Sequence, residues 1–108
     1  MTTAWQSSAS VEVSQESGTL ILRLRGDLDM ASRDLIQPTV MAAITSASAV
    51  ILDLRDLEFC DSSGVGLFVA ANDKARAAGT TLVVANVPSR MSRLFELTGI
   101  DKVLDVSA

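Results

Sequence analysis

The sequence predicts an α/β fold in which a β-sheet carries its helices mainly on one face. Near the start of the chain, two segments that alternate apolar and polar residues indicate a β-hairpin. After this hairpin, segments with helical spacing alternate with short apolar segments, which is typical of parallel strands joined by right-handed crossovers. We predict the order β-β-α-β-α-β-α, followed by a last strand or turn, in a single domain over residues 11–108.

The predicted hairpin consists of residues 11–15 and residues 19–25. Between them, residues 16–18 (ESG) supply the small and polar side chains that favour a turn. The second strand places Leu20, Leu22 and Leu24 on one face and more polar residues on the other. This pattern predicts that one face of the hairpin is buried.

Residues 31–47 have apolar side chains at helical spacing. Because proline lacks an N–H and clashes with the preceding turn, Pro38 predicts that this helix either begins near Gln37 or kinks there. Residues 49–54 are almost all apolar and rich in branched side chains, which favours a central strand. The polar residues among positions 53–63 then predict a loop.

Residues 63–78 predict the second helix, and Gly79 stands where a left-handed residue commonly ends a helix. Residues 81–85 are rich in β-branched side chains and predict another strand. A third helix is expected to open at positions 88–89 and to end at Gly99. Residues 102–105 would form the last strand or turn.

The composition excludes several classes of function. The chain has no histidine, which removes Ser-His-Asp and Cys-His catalysis and histidine-based metal sites. Its single cysteine, Cys60, can form neither an internal disulfide nor a zinc ribbon. Nine basic residues are outnumbered by thirteen acidic ones, so we expect no nucleic-acid partner. We expect no metal, no cofactor and no enzymatic activity.

The location of the protein follows from similar arguments. No apolar run approaches the roughly 18 residues that a membrane span needs, so no membrane association is expected. Residues 1–10 lack the basic and apolar regions of a signal peptide and predict a flexible tail, in which Trp5 has no assigned role. A single cysteine is consistent with a reducing compartment, and we therefore predict a cytoplasmic protein.

Residues 61–66 (DSSGVG) combine three features of a binding or modification site. They follow a predicted central strand, and the carboxyl ends of such strands are where sites usually form. They open a helix, whose free N–H groups and positive dipole end stabilise a phosphate. Gly64 and Gly66 would let another protein approach the backbone closely.

A helix cap without any function is the main alternative for this segment, since Ser and Asp are common N-cap residues. On the chemistry of these residues alone, that alternative is favoured. A nucleophile elbow is excluded, because Cys60 and Asp61 stand where a glycine would be needed before Ser62 or Ser63. A dinucleotide-binding loop is also excluded, since no third glycine follows Gly66 at the required spacing.

Four segments, in this order and spacing, resemble the STAS-domain anti-sigma-factor antagonists of bacteria. They are residues 26–29 (GDLD), 53–66 (DLRDLEFCDSSGVG), 78–79 (AG) and 93–99 (RLFELTG). The resemblance extends over residues 11–105 and implies a STAS-like mixed β-sheet with helices packed against it. It shifts the balance for the serine from a helix cap to a phosphorylation site.

The resemblance also implies a mechanism. The unphosphorylated protein would bind an anti-sigma factor that is a serine kinase, and would thereby free a sigma factor. That kinase would phosphorylate Ser62, with Ser63 as a second candidate acceptor, and a serine phosphatase would reverse the step. The implied partner-binding residues are Asp27, Asp29, Asp61, Ser62, Ser63, Gly64, Val65 and Gly66.

Several of these residues have a structural alternative. Asp61 either orients the neighbouring hydroxyl group or caps the helix, and Ser63 is predicted to be the N-cap residue. Asp27 and Asp29 either join the partner surface or simply favour a turn. Cys60 is predicted to be a small buried residue rather than a redox sensor.

Two other functions remain open on the sequence alone. The chain could be a STAS subunit or scaffold of a transporter or stress-signalling complex that is not gated by phosphorylation. It could instead bind a nucleotide or another anion near Ser62, although no basic cradle supports this.

Overall fold

A computed structural model gives the structure of residues 9–107. Their elements are β1 (Ala9–Glu16), β2 (Thr19–Leu28), α1 (Met30–Ser46), β3 (Ala49–Cys60), α2 (Ser62–Ala78), β4 (Thr81–Ala85), α3 (Ser89–Thr98), a 3-10 helix (Ile100–Lys102) and β5 (Val106–Ser107). The predicted α/β class and the order of the elements are confirmed. Strand β1 begins at Ala9, inside the predicted tail, while the rest of that tail, with Trp5, lies outside the described residues.

The strands form one mixed sheet in the order β1-β2-β3-β4-β5. Strands β1 and β2 are the predicted antiparallel hairpin, and β3 and β4 continue the sheet in parallel with β2. Of the two alternatives for residues 102–105, the turn is the one found, because these residues end the 3-10 helix and turn before the next strand. The sheet is completed further on, where Val106 pairs with Val84 in parallel.

The core lies between the sheet and its helices. Leu22 and Leu24 of β2 are fully buried, whereas Arg23 between them is on the opposite, more exposed face. Helices α1 and α2 pack against each other and against the strands. Helix α3 joins the same layer, because the rings of Phe68 in α2 and Phe95 in α3 meet edge to face at 5.8 Å. No helix within residues 9–107 is long and apolar enough to cross a membrane.

Helix α1 starts before Gln37, which excludes one of the two predicted alternatives. It begins at Met30 and continues through Pro38, so a start near Gln37 is wrong. Proline removes the hydrogen bond to the carbonyl group of Asp34. Both residues are exposed, so water can satisfy that carbonyl group and the helix can continue.

Strand β3 is longer than predicted. Residues 53–60 belong to it, so the loop expected over residues 53–63 is wrong. The cause is two irregularities in the pairing with β2, at each of which β3 carries one extra residue. As a result the buried residues Leu54, Leu57 and Cys60 recur every third position, and the alternation typical of a strand is lost from the sequence.

The open face of the sheet carries a charged ladder across three strands. Arg23 Nη1 in β2 lies 3.6 Å from Glu12 Oε1 in β1, and Arg23 Nε lies 3.7 Å from Asp53 Oδ2 in β3. Asp53 is buried, and it accepts hydrogen bonds of 3.0 Å from Arg55 N and Asn86 Nδ2. Burial raises the pKa of Asp53, but these hydrogen bonds and the charge of Arg23 outweigh it and hold the pKa below its usual value.

We expect Asp53→Asn to lower the free energy of unfolding at pH 7 by about 1–2 kcal/mol, because the ionised acceptor is lost. The pKa of Asp53 is lower in the folded state than in the unfolded chain, so its contribution is complete above the unfolded pKa of about 3.9 and is lost as the pH falls through the folded pKa. Urea unfolding of both proteins between pH 7 and pH 3 measures this. The exposed Asp73→Asn is the control, and a gap that stays constant down to pH 3 would contradict the account.

Candidate functional site

The site lies at the edge of the sheet where the parallel strands β2 and β3 end. Leu28 and Cys60, the last residues of these strands, are paired, and Asp61 N donates a 3.2 Å hydrogen bond to Leu28 O. Helix α1 begins two residues after Leu28, and α2 begins two residues after Cys60. Two helix N-termini therefore converge on one edge, and their positive dipole ends favour negative charge there.

The start of α1 is closed by a reciprocal pair of hydrogen bonds. Asp29 Oδ1 accepts from Ser32 N at 3.0 Å, and Asp29 N donates to Ser32 Oγ at 2.9 Å. The hydrogen bond from Ser32 N lowers the pKa of Asp29, with a further contribution from the Ser32 hydroxyl group. Asp29 is thus a capping residue, and Asp27 lies beside it, since its carbonyl group accepts from Ser32 Oγ at 2.8 Å.

The start of α2 assigns different roles to the two predicted capping candidates. Asp61 Oδ1 accepts hydrogen bonds from Ser63 N at 2.8 Å and Gly64 N at 3.2 Å, so Asp61 is the N-cap residue. The prediction that Ser63 is the N-cap residue is wrong. Ser63 lies within the first turn of α2, and its backbone N–H donates to the carboxylate of Asp61. Ser62, the first helical residue, is exposed, and Ser63 is half-buried.

Two of the predicted partner-binding residues are turned into the core. Val65 is 7% exposed, and Gly64 is buried against the sheet. A methyl group on Gly64 would lie 2.6 Å from Cys60 Sγ and 2.9 Å from Leu28 Cγ, so close packing requires glycine here. Gly66, in contrast, is half-buried and has room for a methyl group.

Cys60 itself is buried at the base of the site, as predicted. Burial, together with the charge of Asp61, raises the pKa of the Cys60 thiol to about 12. The thiolate is the reactive form of cysteine, and it is scarcely populated at neutral pH with such a pKa. Cys60 is therefore a packing residue rather than a nucleophile.

Sequence reasoning missed the exposed apolar side chains at this edge. Met30, at the start of α1, is 66% exposed, and Phe59, near the end of β3, is 51% exposed. Phe59 also lines a depression of about 160 Å³ with Met91 and Leu94 of α3. The only signal in the sequence was their position beside the segments 26–29 and 61–66, because exposure depends on how the strands end.

The STAS domain family matches residues 10–108. The chain belongs to the STAS domain family. A curated relative, the anti-sigma-B factor antagonist of Bacillus subtilis, is 26% identical over 99 residues, which are 92% of this chain and 91% of the relative.

Two solved structures have the same fold. A crystal structure of an anti-sigma factor antagonist from Mycobacterium paratuberculosis matches with a TM-score of 0.84 and 25% identity, over 92% of this chain and 85% of that one. The Bacillus cell fate determinant SpoIIAA in its phosphorylated form matches with a TM-score of 0.70 and 24% identity, over 92% of both chains. The mixed sheet with helices on one face is thus the STAS fold.

The N-cap assignment predicts different effects for two neighbouring substitutions. Asp61→Ala should lower the free energy of unfolding by about 1 kcal/mol, because two N–H groups lose their acceptor. Ser63→Ala should change it by less than about 0.5 kcal/mol, because the Ser63 side chain does not cap the helix. Denaturant unfolding measures both, and the reverse order of effects would restore Ser63 as the N-cap residue.

The two glycines of α2 should also respond in opposite directions to a methyl group. Gly64→Ala should destabilise the protein by about 1–3 kcal/mol, because the new methyl group collides with Cys60 and Leu28. Gly66→Ala should stabilise it by about 0.5–1 kcal/mol, since alanine favours the helix and the site has room. Thermal unfolding of both variants tests this, and an equal loss of stability in both would contradict the open space beside Gly66.

Proposed function

We propose that this protein is an anti-sigma-factor antagonist that is switched off by phosphorylation at Ser62. In the unphosphorylated state it binds an anti-sigma factor that is also a serine kinase, and so releases a sigma factor. The kinase then transfers the γ-phosphoryl group of ATP to Ser62 Oγ, with loss of the hydroxyl proton and release of ADP. A serine phosphatase removes the phosphate by hydrolysis and restores binding.

The observation that carries the proposal is the position of Ser62. It is the first residue of α2 and is exposed, so a kinase can reach its hydroxyl group. Within the described part of the chain, no hydrogen bond uses that hydroxyl group, because the capping is done by Asp61. Phosphorylation would therefore cost the fold no existing contact of this side chain. Ser63 is half-buried and is the weaker acceptor.

The physics of a helix start supports a switch that acts on binding rather than on folding. A phosphoserine adds about 1.5–2 negative charges and three strong acceptor oxygens. Within the protein, the positive dipole end of α2 favours this charge. In the complex, the same charge would be buried against the partner. A penalty of about 3 kcal/mol there would weaken binding roughly a hundredfold.

The surroundings of Ser62 support a protein as the partner. Met30 and Phe59 expose apolar surface on the edge that bears Ser62, and the depression beside Phe59 is lined by Met91 and Leu94. Apolar and aromatic side chains of this kind are typical of the centre of protein interfaces. Asp27 and Asp29 add negative charge at the same edge. A nucleotide or other small anion would meet these carboxylates instead of a basic cradle.

The proposal predicts that a cognate anti-sigma kinase with ATP adds one phosphate to the protein and that peptide mapping places it on Ser62. Ser62→Ala should remain unmodified while still binding the kinase. Ser62→Glu should bind the kinase at least about tenfold more weakly at an almost unchanged melting temperature, as a partial mimic of the phosphate. Mass spectrometry, calorimetric titration and thermal unfolding provide the three measurements.

The matched control is Ser63→Ala, which keeps Ser62 and the Asp61 cap and should be phosphorylated at the normal rate. A kinase that binds the wild-type protein but leaves it unmodified in the presence of ATP would overturn the proposed switch. Such a result would favour a STAS scaffold or transporter subunit that is not gated by phosphorylation. A phosphate found on Ser63 would move the switch to the neighbouring residue.

A further inference from the structure

The side of α2 that faces α1 includes the residue that we propose to be phosphorylated. A methyl group on Gly66 would lie 3.8 Å from Arg33 Nη1 of α1. Further along, Ala77 of α2 and Thr45 of α1 line the same small depression. Residues four apart share one face of a helix, with roughly 5–6 Å between their Cβ positions. Ser62 therefore lies on this face, one turn before Gly66.

The direction of helical side chains relates the methyl position on Gly66 to the turn that contains Ser62. Cα–Cβ bonds in a helix tilt toward its N-terminus. The methyl position on Gly66, which Arg33 Nη1 approaches, therefore points toward the turn that begins with Ser62. The guanidinium group therefore lies beside Gly66, one turn after Ser62, in a region where the positive end of α2 favours an anion.

Arg33 has unused hydrogen-bonding capacity in this position. Its Nε is buried and has no hydrogen-bond partner among residues 9–107. Its Nη2 donates to Asp34 Oδ1 at 3.2 Å, but Asp34 is 68% exposed, and an exposed pair between adjacent residues stabilises little. A guanidinium group has five donors in a planar fork that matches two oxygens of a phosphate. The surplus donors and the place of this side chain together suit a phosphomonoester.

We propose that Arg33 is the intramolecular partner of the phosphate on Ser62. The proposal rests on the phosphorylation of Ser62 proposed above and adds its means of stabilisation. In the phosphorylated protein the guanidinium group turns from Asp34 to the phosphate and holds it in the cleft between α1 and α2. Arg33 is a positioning residue: it fixes where the added charge is presented and keeps that charge compatible with the fold.

The other charged groups near this edge come from every element that meets there. They are Asp27 at the end of β2, Asp29 and Asp34 of α1, Glu58 of β3, Asp61 before α2 and Arg90 of α3. The carboxylates oppose the second ionisation of a phosphate, and Arg90 is turned toward the carbonyl groups of Leu57 and Glu58. The proposal therefore concerns the difference that Arg33 makes, not the absolute pKa of the phosphate.

The test installs phosphoserine at position 62 during translation, so that no kinase is needed, and follows the phosphate by phosphorus-31 NMR as the pH is varied. An arginine in contact favours the dianion, so the second pKa of the phosphate should rise by roughly half a unit in Arg33→Gln. Arg33→Lys keeps the charge but loses the fork, and its pKa should fall between the other two. Arg76→Gln, in the last turn of α2, removes the same charge at a distance and should cause no shift.

Equal phosphate pKa values in the wild-type and Arg33→Gln proteins would overturn the contact, provided that circular dichroism shows both to be folded. The shift with Arg33→Lys gives a second reading if Arg33→Gln is unstable. This result is independent of the kinase assay on Ser62. A kinase that modifies Ser62 without any effect of Arg33 on the pKa would retain the switch and reject the contact. A shift in the phosphate pKa without any modification of Ser62 by the kinase would retain the contact and reject the switch.

Discussion

The structure depends on the parallel pairing of β2 with β3 up to their last residues. Because Leu28 pairs with Cys60, the two strands end at the same edge, and the helices that follow must begin side by side. The hydrogen bond from Asp61 N to Leu28 O links the two strand ends, and Gly64 packs closely against Leu28 and Cys60. The residues that we assign to function lie around this junction, at whose base Leu28 and Cys60 are buried.

The same junction explains how a charged switch can be carried by a small domain. Both helix starts at this junction are capped by an aspartate, and at α2 the N–H groups of Ser63 and Gly64 are satisfied without any contribution from the Ser62 side chain. Ser62 is left with an exposed side chain on a fixed helix. Under the proposed switch, a phosphate added there would change the surface that a partner meets without removing any hydrogen bond of the Ser62 side chain. The proposal thereby assigns stability and regulation to different residues of one short segment.

Chemically similar residues of this segment differ in how deeply they are buried. Cys60 and Ser62 are two positions apart, yet the thiol is enclosed and its pKa is raised to about 12, whereas the hydroxyl group is exposed. Gly64 and Gly66 are also two apart, and only Gly64 is confined by neighbouring side chains. In both pairs one member maintains the junction, and the other is available at the surface. A substitution in this segment must therefore be judged by the direction of each side chain.

By itself the sequence determined the class of fold and indicated residues 61–66 as the candidate site. Alternating and helical patterns of apolar residues correctly located the hairpin, the three helices and β4, because such patterns reflect local burial. The order and spacing of the segments 26–29, 53–66 and 93–99 indicated the family, and residues 61–66 were selected from the chemistry of a helix start.

Only the tertiary structure decided where each residue of the candidate site lies and what it contacts. The two bulges of β3 remove the alternation by which the length of the strand could be predicted. Residues 53–60 belong to the sheet because they pair with β2. The choice of Asp61 over Ser63 as the N-cap residue depends on where the helix begins to within one residue. The approach of Arg33 to Gly66 brings together two helices that are far apart in the chain. Such facts depend on contacts between distant segments, and no pattern of neighbouring residues records them.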